Sequence, residues 1–134
     1  MGAWGIKTFD DDSACDWIYD LEESEGTDFL EQSLNPKEEG GYLDLEGDVA
    51  ILCACELIHS ILHGPRDGVP EDVVNWINNN RGIDVTSLKK ICVDKINRLL
   101  SDKSELNELW AENEDEYDNW KNNVLELREA LVSN

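Results

Sequence analysis

One segment constrains the fold more than any other: from about Leu43 to His63 the chain is largely apolar, and it stops at Gly64 and Pro65, residues that end helices. At about 100° per residue, Ala50, Ile51, Ala54, Leu57, Ile58, Ile61 and Leu62 cover one broad arc, while Asp48, Glu56, His59, Ser60 and His63 share the other. A helix this apolar needs other elements around it. It is the expected centre of an all-α fold.

The flanking segments repeat the helical spacing. Ala14, Trp17, Ile18 and Leu21 recur at i, i+3, i+4 and i+7 behind Asp10, Asp11, Asp12 and Ser13, which supply a cap and an acidic first turn. Phe9 is placed to staple onto Ala14 or its neighbour. A short helix is expected near Thr27 to Leu34 with Phe29, Leu30 and Leu34 inward, before Pro36, Gly40 and Gly41 open a loop. Pro70 opens a helix that presents Val73, Val74, Trp76 and Ile77 and closes between Asn78 and Gly82. Leu88, Ile91, Cys92, Ile96, Leu99 and Leu100 form the next stripe, starting near Thr86 or Ser87. Ser104 caps a short helix with Leu106, Leu109 and Trp110, and Trp120, Val124, Leu127 and Leu131 make the last helix. Strand-like alternation is confined to Ala3 to Thr8. The expectation is a single α-helical domain over residues 1–134, an irregular bundle of five to seven helices with an extended N-terminal strap in which Gly2 and Gly5 let the backbone pass close to helices.

Charge bounds the function. The chain has 31 Asp and Glu against 11 Lys and Arg, a net charge of −20, and its first 63 residues hold 16 acids with only Lys7 and Lys37 as bases. Such a field repels nucleic acid and anionic lipid and speeds encounter with a basic protein or a cation; the plainer reading is a surface charged for solubility. The basic face formed by Lys89, Lys90, Lys95 and Arg98 is read as a solvated surface paired with the acidic half. The apolar fraction, 40%, suffices for a core. No basic region is followed by an apolar run at the N-terminus, and the stretch from Val49 to Cys55 is too short to span a bilayer. A cytoplasmic protein with no membrane partner is expected.

Catalytic constellations are scarce. Cys53 and Cys55, two positions apart on a helix, point about 200° apart and neither pair nor chelate together; with Cys15 and Cys92 they read as reduced thiols. Glu56, His59 and His63 share helical spacing and offer a metal face, but the internal glutamate of a zinc-protease helix is absent, and the histidines read as structural or surface residues. Asp10, Asp11, Asp12, Asp16 and Asp20 lack the glycine and closing glutamate of a calcium loop. No serine or cysteine sits in an elbow motif, and the glycines form no phosphate loop. Neither an enzyme nor a cofactor is expected.

Two faces combine aromatic residues with acids, the composition suited to docking a basic protein, since aromatic anchors supply interface energy and acids steer. The first helix carries Asp12, Asp16, Tyr19, Asp20 and Glu23. Further on, Trp110, Glu112, Glu114, Asp115, Glu116, Tyr117, Asp118 and Trp120 interleave the same chemistries. Inward packing of the aromatics would leave only acids on that second face.

The opening segment, with Trp4, Gly5, Phe9, Asp12, Ala14, Asp16 and Trp17 in the pattern M-G-x-W-G-x-x-x-F-x-x-D-x-A-x-D-[WF], resembles the bacterial family known as domain of unknown function 4259. Similarity continues through Tyr42 to Gly47, the central helix, Val69 to Trp76 and Ser104 to Trp110. Cys53 and Cys55 stand where alanines are expected, which argues against a catalytic role for them. The resemblance implies a fold and a bacterial context and carries no established reaction. Small acidic members of the family look like the immunity proteins of bacterial toxin systems, cytosolic binding proteins that neutralise basic nuclease toxins. The expected partner is therefore a cognate toxin domain. The alternatives are a regulatory or housekeeping module for another basic protein and a metal-dependent enzyme built on His59 and His63.

Overall fold

The computed structural model describes residues 5–132. Among them seven α-helices follow in order: α1 (Asp12–Glu22), α2 (Asp28–Leu34), α3 (Leu45–His63), α4 (Glu71–Asn79), α5 (Lys89–Leu99), α6 (Glu105–Ala111) and α7 (Tyr117–Val132), with a single 3-10 turn (Thr86–Leu88) leading into α5. The fold is all-α. The starts of α1, α3 and α6 are fixed by short polar side chains. The Asp11 carboxylate accepts from the Ser13 N–H at 2.7 Å, Asp44 from the Gly47 N–H at 2.8 Å, and Ser104 Oγ from the Asn107 N–H at 3.2 Å. Gly64 ends α3 at φ 93°, a conformation that favours glycine.

α3 is the central helix, touched by α1, α2, α5, α6 and α7; α5 also lies along α7, and α4 against α1. Its burial is more complete than its pattern implies. Every residue from 51 to 60 is buried. The arc of Asp48, Glu56, His59 and Ser60 is therefore no solvated face; only His63 of that group is exposed, and Ile61 and Leu62 on the apolar arc are half-buried. Neighbouring segments bring donors to Asp48 and Glu56, which is what allows these two carboxylates inside.

The other stripes face inward as their spacing requires: Ala14, Trp17, Ile18 and Leu21; Leu30 and Leu34; Val73 and Trp76; Cys92, Ile96 and Leu99; Trp120, Val124, Leu127 and Leu131. Phe9 is buried with its ring centroid 6.4 Å from that of Trp17. The indole N–H groups of Trp17 and Trp76 are satisfied, Trp17 donating to Ser33 Oγ at 2.9 Å and Trp76 to the Ser24 carbonyl at 3.0 Å. Arg98, on the basic face of α5, pairs with Glu38.

The alternation from Ala3 to Thr8 makes no strand in its described part, where residues 5–10 run as bends and a turn. Polar side chains hold this segment: Lys7 pairs with Asp67, and Thr8 Oγ1 donates to Glu56 Oε1 at 2.8 Å. Gly2, Ala3 and Trp4 lie outside the described residues.

Candidate protein-binding face

On α1, positions 12, 16, 19, 20 and 23 fall on one side of the helix because the stripe of Ala14, Trp17, Ile18 and Leu21 turns the other side inward. Asp12, Asp16, Tyr19, Asp20 and Glu23 are all exposed, Tyr19 at 73%. Among the described residues no ion pair or side-chain hydrogen bond engages any of the five. This is a band of unneutralised carboxylates around one exposed phenol.

A cleft of about 490 Å³ opens beside that band. Asp16, Trp17 and Asp20 of α1, Phe29 of α2, and Glu46 and Val49 of α3 line it. Phe29 is half-buried, with its ring centroid 5.3 Å from that of Trp17. Phe29 is not simply inward, as its spacing suggests; it borders this opening. Glu46 and the cleft carry no signal in the sequence, because the arrangement depends on how three helices cross.

On the second face the aromatics pack inward, the alternative under which its acids are left without an outward tryptophan. Trp110 and Trp120 are buried and stacked, with centroids 5.7 Å apart and planes 8° from parallel, which leaves Trp110 almost no surface to offer a partner. Burying two large rings against α3 and α7 outweighs any gain from displaying them. Tyr117 is half-buried 6.0 Å from Trp120, and its hydroxyl donates to Asn107 Oδ1 at 2.8 Å. The charged residues that remain outside are all acids, Glu112, Glu114, Asp115, Glu116 and Asp118, with the neutral Asn113 and Asn119 among them.

The weak metal face also dissolves. Arg66 clamps Glu56, Nε to Oε2 and Nη2 to Oε1, both at 2.7 Å, and Arg66 Nη1 donates to the Asn123 carbonyl of α7 at 3.2 Å. Burial opposes the charge of the Arg66 guanidinium, but the Glu56 hydrogen bonds and charge raise its pKa overall. His59 is buried, which pushes its pKa down, and its Nδ1 has no partner among the described residues. His63 lies outside, its ring 5.2 Å from His59. Two imidazoles remain, with their glutamate committed elsewhere. No group of three His, Cys, Asp or Glu able to hold a metal occurs among the described residues.

Asp48 is fully buried at the start of α3. Its Oδ2 accepts from Ser104 Oγ at 2.9 Å and from the Leu106 N–H at 3.0 Å, while Oδ1 has no partner among the described residues. Burial pushes its pKa up to about 7, against the opposing pull of these hydrogen bonds. Around it, the Leu45 N–H donates to Glu105 Oε1 at 2.9 Å and Tyr42 Oη to Glu108 Oε2 at 2.9 Å, so α6 is clasped to the start of α3. Both Asp48 and Arg66 escaped the sequence reading. A lone arginine two residues past Gly64, in a chain with few bases, was the one signal available for the second.

Cys15 is exposed, whereas Cys53, Cys55 and Cys92 are buried and unpaired. Burial raises the Cys53 and Cys55 pKa values well above normal, which keeps both as thiols and unreactive. No described helix is long and apolar enough to cross a membrane.

Comparison with curated proteins and with solved structures finds no match to this chain. The sequence model of one family, domain of unknown function 4259, matches residues 2–123, which takes in every helix through α6, the acidic face of α1 and the first part of α7. With the match running over nearly its full length, the chain belongs to the DUF4259 family.

Proposed function

We propose that this protein is a non-enzymatic binding protein of the cytoplasm that neutralises a basic, nuclease-type bacterial toxin domain by covering it. The carrying observation is the α1 band: Asp12, Asp16, Asp20 and Glu23 without side-chain partners among the described residues, surrounding a Tyr19 that is 73% exposed, in a chain of net charge −20. Carboxylates left unpaired on a rigid helix are already arranged as an array of negative charge, the pattern a nuclease recognises in phosphates. Steering by such an array speeds association, and an exposed aromatic supplies contact area at low entropic cost. Glu112, Glu114, Asp115, Glu116 and Asp118 extend the field without an outward aromatic anchor.

Purification at low salt from the native host, followed by mass spectrometry of whatever accompanies the protein, tests the reading. A stoichiometric basic polypeptide with nuclease activity that the protein suppresses is the expected result. Recovery of the protein alone under conditions where the toxin is made would overturn it.

A further inference from the structure

The cleft between α1, α2 and α3 joins two kinds of surface. Its aromatic wall is built from Phe29 beside Trp17, and Trp17 is fixed by its bond to Ser33. Its acidic wall is Asp16 and Asp20, one turn apart on α1, and Glu46 in the first turn of α3. All three carboxylates are exposed, and none takes part in an ion pair among the described residues. At about 490 Å³ the opening is the size of a small-ligand site.

These walls restrict the occupant. A purely apolar group would meet Leu45, Val49 and Ala50, which also line the cleft, but it would strip water from three carboxylates without replacing the lost hydrogen bonds. A compact ammonium satisfies the acids but has no flat face for the ring. A guanidinium does both, stacking through its plane while its edge donates hydrogen bonds to carboxylates. We infer that the cleft is the anchor pocket for an arginine side chain of a basic partner protein, stacked against Phe29 and held by Asp16, Asp20 and Glu46. The inference rests on the binding reading above for its class of partner and adds the residue that partner must present.

The full-length protein is titrated with the tripeptide Gly-Arg-Gly and with Gly-Lys-Gly, followed by amide and indole chemical shifts. The expected result is that the arginine peptide moves the Trp17 indole and the amides of residues 13–20 and 46–50, and that the lysine peptide moves them far less. Asp16→Asn with Asp20→Asn removes charge at exposed positions without touching the core, and is expected to weaken arginine binding by roughly tenfold. Phe29→Ala should remove the preference for arginine over lysine. Glu114→Gln with Glu116→Gln should change nothing. Equal response to both peptides, or shifts spread evenly over the acidic surface, would overturn the pocket. If the pocket binds arginine while no basic protein accompanies the chain from its host, the toxin reading fails and the pocket stands. If a basic protein does accompany it and binds the Asp16, Asp20 double variant unchanged, the pocket fails and the toxin reading stands.

Discussion

The acids of α1 and two of the three acids of α3 have opposite fates, the third, Glu46, being exposed like those of α1. On α3, Asp48 and Glu56 are buried, and each holds a distant segment: Asp48 receives the first turn of α6, while Glu56 receives Thr8 from the N-terminal segment and Arg66 from the loop after α3. On α1, Asp12, Asp16, Asp20 and Glu23 are exposed and hold nothing among the described residues. The same residue types therefore do two jobs. Buried carboxylates assemble this protein, and displayed ones take no part in that assembly among the described residues.

The sharpest way to break that division is at Arg66. Arg66→Ala leaves Glu56 charged, buried and short of two hydrogen bonds, and removes the bond to the Asn123 carbonyl. Breaking a buried pair in this way costs about 3–5 kcal/mol. Urea denaturation should show the midpoint fall accordingly. The double variant Arg66→Met with Glu56→Met should recover most of the loss, because no uncompensated charge remains. A single variant as stable as the parent would mean that Glu56 does no assembling.

Asp48 comes next, and its effect depends on pH. Its carboxyl has a pKa of about 7 in the fold against 3.8 in an unfolded chain. Below the unfolded value both states are protonated and its contribution is fully present. As pH rises from about 4 to about 7 the unfolded chain releases the proton and the folded chain keeps it, so stability falls, at most by about 4 kcal/mol in total, and levels off above 7. Asp48→Asn removes that slope. It adds a constant cost, since the new amide group meets no acceptor where Oδ1 is unpartnered. The checkable quantity is the stability of the variant minus that of the parent, measured by urea unfolding between pH 4.5 and 8.5, which should climb steadily and then flatten. A difference that stays flat throughout would place Asp48 in the same protonation state folded and unfolded.

Ser104 sharpens the same point on a smaller scale. Its hydroxyl donates to Asp48 and accepts from the Asn107 N–H that opens α6. Ser104→Ala removes a cap and a donor to a buried carboxyl together, with an expected loss of about 1–2 kcal/mol. Thermal unfolding near pH 5 resolves a change of that size.

Periodicity and capping made most of the helical frame legible. The spacing of Ala14, Trp17, Ile18 and Leu21, the serine at 104 and the glycine at 64 state their roles locally, within a turn or two of chain. What failed was any judgement that needed a partner far along the chain. Asp48 and Glu56 look like a solvated arc because their spacing records only that they are polar; their donors come from residues 104 and 106 in one case and from 8 and 66 in the other. Trp110 and Trp120 posed the same problem, since acids between two tryptophans do not reveal whether the rings face each other or water. The α1 face was readable because its inward stripe is complete, which leaves only one side for Asp12, Asp16, Tyr19, Asp20 and Glu23. The cleft beside it was not, because three helices must cross before it exists.

The smallest stability effect belongs to α1, and its smallness is the point. Asp16 and Asp20 stand at i and i+4, and Glu23 follows Asp20 at i+3, so the face carries like-charge neighbours that cost a few tenths of a kcal/mol per pair. Asp16→Asn, Asp20→Asn and Glu23→Gln together relieve that repulsion while Asp12 stays to favour the helix N-terminus. Stability should hold or rise by up to about 0.5 kcal/mol at low salt, and the gain should fade as ionic strength rises. The same triple variant should bind a basic partner more slowly, with the difference from the parent narrowing in salt. Both results together would show acids that do not help the protein fold and do speed an encounter. If instead the triple variant loses more than about 1 kcal/mol, those carboxylates hold the molecule together as Asp48 and Glu56 do, and the distinction between assembling and displayed acids collapses.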